Sequence, residues 1–73
     1  MKFQSVQRAL YSYEAEKPDE LSFKEDDILC IFGQSEEDEG WLRACLLDNQ
    51  DVLGMVPSNY LANVIIIHKA YLP

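Results

Sequence analysis

Residues able to do covalent chemistry are few and scattered. His68 is the only histidine and stands alone, with no nucleophile or carboxylate at catalytic spacing. The serines lie outside any GxSxG elbow, and the glycines are not grouped to cradle phosphate. Cys30 and Cys45 belong to no CxxC motif and to no His/Cys cluster of zinc-binding spacing. Acidic pairs such as Asp26-Asp27 fall between apolar runs, and Glu36-Glu37-Asp38-Glu39 reads as a solvated loop tip. No enzyme activity, metal or cofactor is expected from this set. The aromatic residues say more. Tyr11 and Tyr13 are two apart and so share one face of an extended chain. Trp41 follows Gly40 beside the acidic run, and Tyr60 follows Pro57 by three, the repeat of a tight helical turn. Such rings can receive a partner, or they can pack a core or a barrel end; the pattern alone leaves both open.

The elements that must position these rings read as strands. No window sustains apolar residues at i, i+3, i+4, i+7 with caps at both ends. Short runs rich in strand formers appear instead at residues 6–11, 20–23, 28–32, 41–47, 52–56 and 61–67. Between them lie a loop over 33–40 and a turn over 48–51, where Asp and Asn bond their own backbone and accept left-handed dihedrals. Pro57 has no N–H for a ladder and should stop its strand, and Ser58-Asn59-Tyr60 suggests one tight helical turn. Close-spaced strands of this kind predict an all-β small barrel or sandwich. Alternation puts Leu29 and Ile31 inside, with Leu21, Phe23, Ala9, Ala44, Val56 and Leu61. Each buried Leu or Ile contributes about 1.5–3 kcal/mol, so this core supports a marginal domain rather than a hyperstable one.

Composition narrows the partner. The 73 residues allow one domain, and 48% apolar residues allow a packed core. Six Lys+Arg against 13 Asp+Glu leave a net charge of −7, which repels nucleic acid and anionic lipid and favours a basic peptide. Two cysteines are too few for a disulfide-stapled secreted scaffold, so a reducing, cytoplasmic setting is expected. The N-terminal residues do not resemble a signal peptide, and no run is long enough to span a bilayer, so no membrane insertion is expected.

Four blocks then resemble one family. Ala9-Leu10-Tyr11-Ser12-Tyr13 resembles the ALYDY motif of Src homology 3 (SH3) domains, and Glu20-Leu21-Ser22-Phe23 resembles their (D/E)-L-S-F segment. Gly40-Trp41-Leu42-Arg43-Ala44 is similar to their Trp-centred strand, and residues 54–61, GMVPSNYL, to their G-(aromatic)-(I/V)-P-S-N-Y-(V/L) ending. Each is weak alone; together, in family order and spacing from about Ala9 to Val64, they are specific. The resemblance implies a five-stranded SH3-like barrel of two orthogonal antiparallel sheets with one 3-10 turn. The expected division is an N-terminal extension or first strand at 1–7, the SH3 domain at 8–64, and a C-terminal extension or linker at 65–73. The implied role is a non-catalytic adaptor module that binds PxxP peptides with flanking Arg or Lys in the polyproline II form, monomeric by itself and carried in a larger multidomain protein. A polyproline II segment is already extended and has little entropy left to lose.

Carried over by position, the resemblance has Tyr11 and Tyr60 wall a first proline pocket. Tyr13, Trp41, Pro57 and Tyr60 form a second, and Asn59 donates to a peptide carbonyl. Trp41 divides these from a specificity pocket between the RT loop, residues 14–20, and the n-Src loop, residues 33–40. Glu20 holds the place of the carboxylate that pairs with a ligand cation. Glu16 and Asp19 stand near it, with Glu37, Asp38 and Glu39 across the pocket and Met55 at its side. Three departures stand out. Ser12 replaces an Asp and is expected to loosen a local hydrogen bond, Met55 replaces an aromatic, and Asp26 replaces a Gly at a position expected to need φ > 0.

Two expectations concern residues outside these motifs. If Ile31 pairs with Ala44, Cys30 faces Cys45 outside the core; a bond between them is disfavoured by strained cross-strand geometry and a reducing setting. The apolar residues Val64 to Ile67 either lengthen the last strand against residues 3–6 or form an exposed contact surface. The alternative function keeps the fold but binds a non-PxxP segment or a folded surface, in another molecule or in its own, through the acidic loops and this tail.

Overall fold

The computed structural model describes residues 3–64. It contains β1 (Ser5–Ala9), β2 (Ile28–Gln34), β3 (Trp41–Leu46), β4 (Asn49–Pro57), a 3-10 turn (Ser58–Tyr60) and β5 (Leu61–Asn63). All pairings between these strands are antiparallel, and one hydrogen-bonded order, β4-β3-β2-β1-β5, joins them. The two ends of that order meet at a single core. Val56 from β4 and Leu61 from β5 pack in one cluster with Ala9, Leu29, Ile31, Ala44 and the loop residues Leu21 and Phe23. All eight positions that alternation assigned inward are therefore buried, and Leu42, two before Ala44 on the same strand face, joins them.

Several boundaries differ from the sequence reading. Residues 20–23 form no strand; Leu21 and Phe23 are buried, but the β-type pairing of this arm is confined to the isolated bridges Tyr13–Phe23 and Glu20–Met55. Alternation reports which face is buried and does not require a ladder. The turn at 48–51 is also displaced: residues 47–48 turn, and Asn49 already pairs with Leu46. β1 ends at Ala9 rather than 11, β2 runs on through Gly33 to Gln34, and β3 stops at Leu46. The last strand is seen as Leu61–Asn63, with the Val64 N–H donating to Val6 O at 3.1 Å; residues 65–67 lie outside the described residues.

The cysteine register is as expected, Ile31 opposite Ala44 and Cys30 opposite Cys45. Their surroundings are not. Both free thiols stand apart from the main core cluster, yet both are fully buried. Burial pushes the Cys30 thiol up, and the adjacent Cys45 adds to that shift. Asp26 does adopt a left-handed backbone, φ 75°. Its N–H donates to Ala9 O at 2.9 Å, and its carboxylate accepts from Arg8 at 2.8 Å on the exposed surface. Ser12 keeps a local bond rather than losing one, its Oγ accepting from the Glu25 N–H at 2.9 Å.

Candidate functional site

The loop between β1 and β2 is a folded-back arm. Tyr13 and Phe23 exchange both backbone hydrogen bonds, at 2.8 and 3.0 Å, and the Ala15 N–H donates to Ser22 Oγ at 2.9 Å. The tip closes where the Glu20 N–H donates to Lys17 O at 3.1 Å. Beyond the tip the returning chain lies on β4: the Met55 N–H donates to Asp19 O at 2.8 Å, and the Leu21 N–H to Met55 O at 2.9 Å. Gly54 permits this approach, because a Cβ there would lie 2.9 Å from Leu21 Cβ.

The second loop, residues 35–40, is closed by its own polar groups. Ser35 Oγ accepts from the N–H groups of Glu37 and Asp38, at 3.2 and 3.0 Å. Gly40 takes φ 88°, a conformation that favours glycine, and its carbonyl accepts from the Ser58 N–H at 2.8 Å. The Leu10 N–H donates to Tyr60 O at 2.7 Å. The 3-10 turn is thereby fastened to the start of β3 and to the end of β1, which brings Trp41, Tyr60 and the tyrosines of the long loop together.

The result is a row of rings. Tyr11 meets Tyr60 edge-on at 5.5 Å, Tyr60 meets Tyr13 at 5.4 Å, and Tyr13 meets Trp41 at 6.1 Å. Tyr13 also stacks on the core residue Phe23 at 5.7 Å, so the row is anchored to the interior. Tyr11 stays 58% exposed, which leaves its face open to a partner. Pro57 is buried opposite Trp41 on β4, and Asn59 is exposed on the turn. The row is joined to the core at two of its rings, Tyr13 and Tyr60, both of which pack against the buried cluster.

Acidic groups lie beyond Trp41. Glu20 Oε1 accepts from the Tyr13 hydroxyl at 2.6 Å and from the Glu16 N–H at 2.8 Å. Both of these bonds use the same oxygen. The bond from Tyr13, then that from Glu16, holds the Glu20 carboxyl below its ordinary range. The same bond, with desolvation and nearby carboxylate charge, pushes the Tyr13 hydroxyl up to about 12.

A concavity of about 100 Å³ is lined by Lys17, Asp19, Glu20, Asp38, Trp41 and Met55. A neighbouring one of about 310 Å³ has Glu37, Asp38, Asp19, Met55 and also Ser35, Glu36 and Arg43. Among the expected specificity residues, Asp19, Glu20, Glu37, Asp38 and Met55 are therefore brought together. Glu16 acts through its backbone on Glu20, and Glu39 lines neither concavity. Lys17 and Arg43 were not anticipated. Arg43 was legible, since it stands two after Trp41 and so shares its strand face. A larger concavity, about 690 Å³, lies against Ser12, Lys24 and Leu46 and shares only Tyr13 with the expected site. Among the described residues no cluster of His, Cys, Asp or Glu is placed to hold a metal ion, and no helix is long and apolar enough to cross a membrane.

The chain is similar to several known proteins. The chain is 40% identical over 62 residues to the actin cytoskeleton-regulatory complex protein SLA1 of Vanderwaltozyma polyspora, covering 81% of this chain and 5% of that protein. It is 46% identical over 54 residues to protein kinase C and casein kinase substrate in neurons protein 1 of Mus musculus, covering 74% of this chain and 12% of that protein. The chain thus spans a small fraction of these relatives. Among solved structures, the C-terminal SH3 domain of myosin IB from Entamoeba histolytica, bound to an EhFP10(GEF) peptide, superposes with a TM-score of 0.72 at 37% identity, over 93% of this chain and 94% of that one. The SH3 domain of yeast NBP2 superposes with a TM-score of 0.76 at 29% identity, over 85% of this chain and all of that one. The sequence model of the SH3 domain matches residues 8–58, well over half of the chain, and this chain belongs to the SH3 domain family.

Proposed function

We propose that this SH3 domain is a non-catalytic adaptor module whose aromatic row receives a proline-rich segment, with a flanking Arg or Lys held by the acidic loops. The observation that carries the reading is the unbroken series Tyr11, Tyr60, Tyr13, Trp41, ending beside the Glu20 carboxylate. Rings set edge-on leave clefts between them, and the ridges of a polyproline II helix fit clefts without an ordering cost. Pro57 beneath Trp41 would complete the second cleft, and exposed Asn59 would donate to a peptide carbonyl.

Past Trp41, the Glu20 carboxylate would take the ligand cation, with Asp19 and Asp38 on the same concavity. Glu16, Glu37 and Glu39 would contribute longer-range attraction. Such exposed pairs are worth about 0–1 kcal/mol each, so their main effects are on association rate and salt dependence. The Entamoeba relative bound to a peptide, and an Acanthamoeba myosin I SH3 domain bound to Acan125, support the peptide-binding reading. The short span of this chain within its relatives supports a place in a larger, multidomain protein, and likeness to an actin cytoskeleton-regulatory protein supports a cytoplasmic setting.

The test is a proton–nitrogen NMR titration with a PxxP peptide carrying one Arg, repeated with its prolines changed to alanine. Shifts at Tyr11, Tyr13, Trp41, Asn59 and Tyr60, with movement at Glu20, are expected for the first peptide alone. A silent groove, or equal shifts from the alanine peptide, refutes the proposal.

A further inference from the structure

Beyond the acidic concavities the surface changes character. A further concavity of about 480 Å³ is lined by Asp19, Phe32, Arg43, Leu53, Gly54 and Met55. Asp19 and Met55 line it and both acidic concavities, so the three are continuous. Strand register explains the grouping. Arg43 pairs with Met55 across β3 and β4, and Leu53 lies two before Met55 on the same face. On β2 the register shifts between Ile31 and Gly33, leaving Phe32 unpaired at a bulge, a device that re-aims a side chain. Gly33 then leaves room beside it for the Arg43 guanidinium, which would lie 3.0 Å from any Cβ placed there.

Two properties of this patch are unmatched within the described residues. Leu53 is 52% exposed, although it stands beside the apolar groups Phe32 and Met55. Arg43 makes no ion pair: the only one among the described residues joins Arg8 to Asp26, while the whole chain carries a net charge of −7. A cation that forms no close ion pair although it shares a concavity with Asp19 and stands beside an open apolar wall has the chemistry to recognise an apolar side chain next to an acid.

We propose that this concavity is a second ligand subsite, which takes an apolar residue and a neighbouring carboxylate located beyond the ligand's basic residue, on the side away from its prolines. The assignment rests on the groove reading above, because only a chain whose cation sits at Glu20 and Asp38 passes over Met55 into this space. The apolar side chain covers Leu53, Met55 and Phe32, and the carboxylate pairs with Arg43. The ligand read by the whole surface is then prolines, a cation, an apolar residue and an acid, in that order from Tyr11 to Leu53.

The experiment uses the full chain and synthetic peptides, followed by calorimetry. One peptide is a PxxP core with a single Arg; a second extends it beyond the Arg with Gly-Leu-Glu, and a third with Gly-Ser-Ser. Each is made with the Arg at either end of the core. The Gly-Leu-Glu extension in one polarity should tighten binding about five- to tenfold over Gly-Ser-Ser, the yield of burying part of one Leu side chain. Leu53→Asp, at an exposed position, should abolish that gain and leave the core peptide within about twofold; Arg43→Ala should remove the part owed to the Glu. Equal binding of the two extended peptides, or a gain that survives Leu53→Asp, overturns the subsite while leaving the groove intact. Failure of the core peptide to bind overturns both.

Discussion

Replacing Gly54 with alanine tests whether the long loop is seated on β4 as described. The added Cβ would lie 2.9 Å from Leu21 Cβ, 3.0 Å from Leu21 N and 3.2 Å from Asp19 O. None of these atoms is the free end of a flexible side chain, so backbone must move. The segment that moves is fixed by two hydrogen bonds, from the Met55 N–H to Asp19 O and from the Leu21 N–H to Met55 O. Forcing a methyl into such a contact costs about 1–3 kcal/mol. Alanine restricts the unfolded chain and offsets roughly 0.4–1 kcal/mol of that. The net loss is about 1–2 kcal/mol, which for a domain of this size lowers the melting temperature by about 5–15 °C. Circular dichroism melts measure it directly. Amide shifts at Asp19, Glu20 and Leu21 should exceed those elsewhere, and affinity for an Arg-flanked peptide should fall with them. A melting temperature within about 1 °C of the parent would refute the close packing of this arm.

Other consequences can be checked separately. One tyrosine should titrate near pH 12, because the Tyr13 hydroxyl donates to the Glu20 carboxylate; ultraviolet titration should show it, and Tyr13→Phe should abolish it. Since the folded state holds that proton more tightly, any stability it contributes is present below the ordinary tyrosine value of 10.0 and is lost as pH rises through about 12. Glu20 has the opposite sign: its folded value is lowered, so its contribution is present above the ordinary carboxyl value and is lost as pH falls through the depressed one, a trend that acid melts of Glu20→Gln should flatten. Asp26→Gly should raise stability by less than about 1 kcal/mol, because relief of the left-handed backbone exceeds the loss of an exposed ion pair with Arg8; a lower melting temperature would refute this. Cys30 and Cys45 should both be counted as free by a thiol reagent after unfolding and react slowly before it, whereas fast reaction of the native chain would contradict their burial.

Much of this molecule is legible along the chain. Period-two alternation identified Leu29, Ile31 and Ala44 as interior, and the same rule, applied one step further, includes Leu42. The spacing of Tyr11 and Tyr13, and of Pro57 and Tyr60, carried the row of rings, because a strand or a single tight turn converts spacing into a shared face. The positive φ at Asp26 was expected because the SH3 resemblance places a Gly there. Alternation and spacing are local rules, and the sequence by itself determined what they govern: fold class and core membership; which rings receive a ligand came only as an implication of the family resemblance. Tertiary structure decided which distant pieces face one another. Residues 20–23 alternate like a strand but serve as a loop arm, because the long loop's chemistry left them bridging β4 at only one position. Cys30 points away from the main core and is still fully buried, since outward on one sheet face is not the same as exposed. Glu20 became the acceptor of Tyr13, Gly54 the close contact of Leu21, and Arg43 the neighbour of Phe32, only when loops and strands far apart in sequence were brought within a few ångströms. Periodicity records which side of an element is buried; what lies across from it is set by the closure of the whole sheet, and that is information no single element contains.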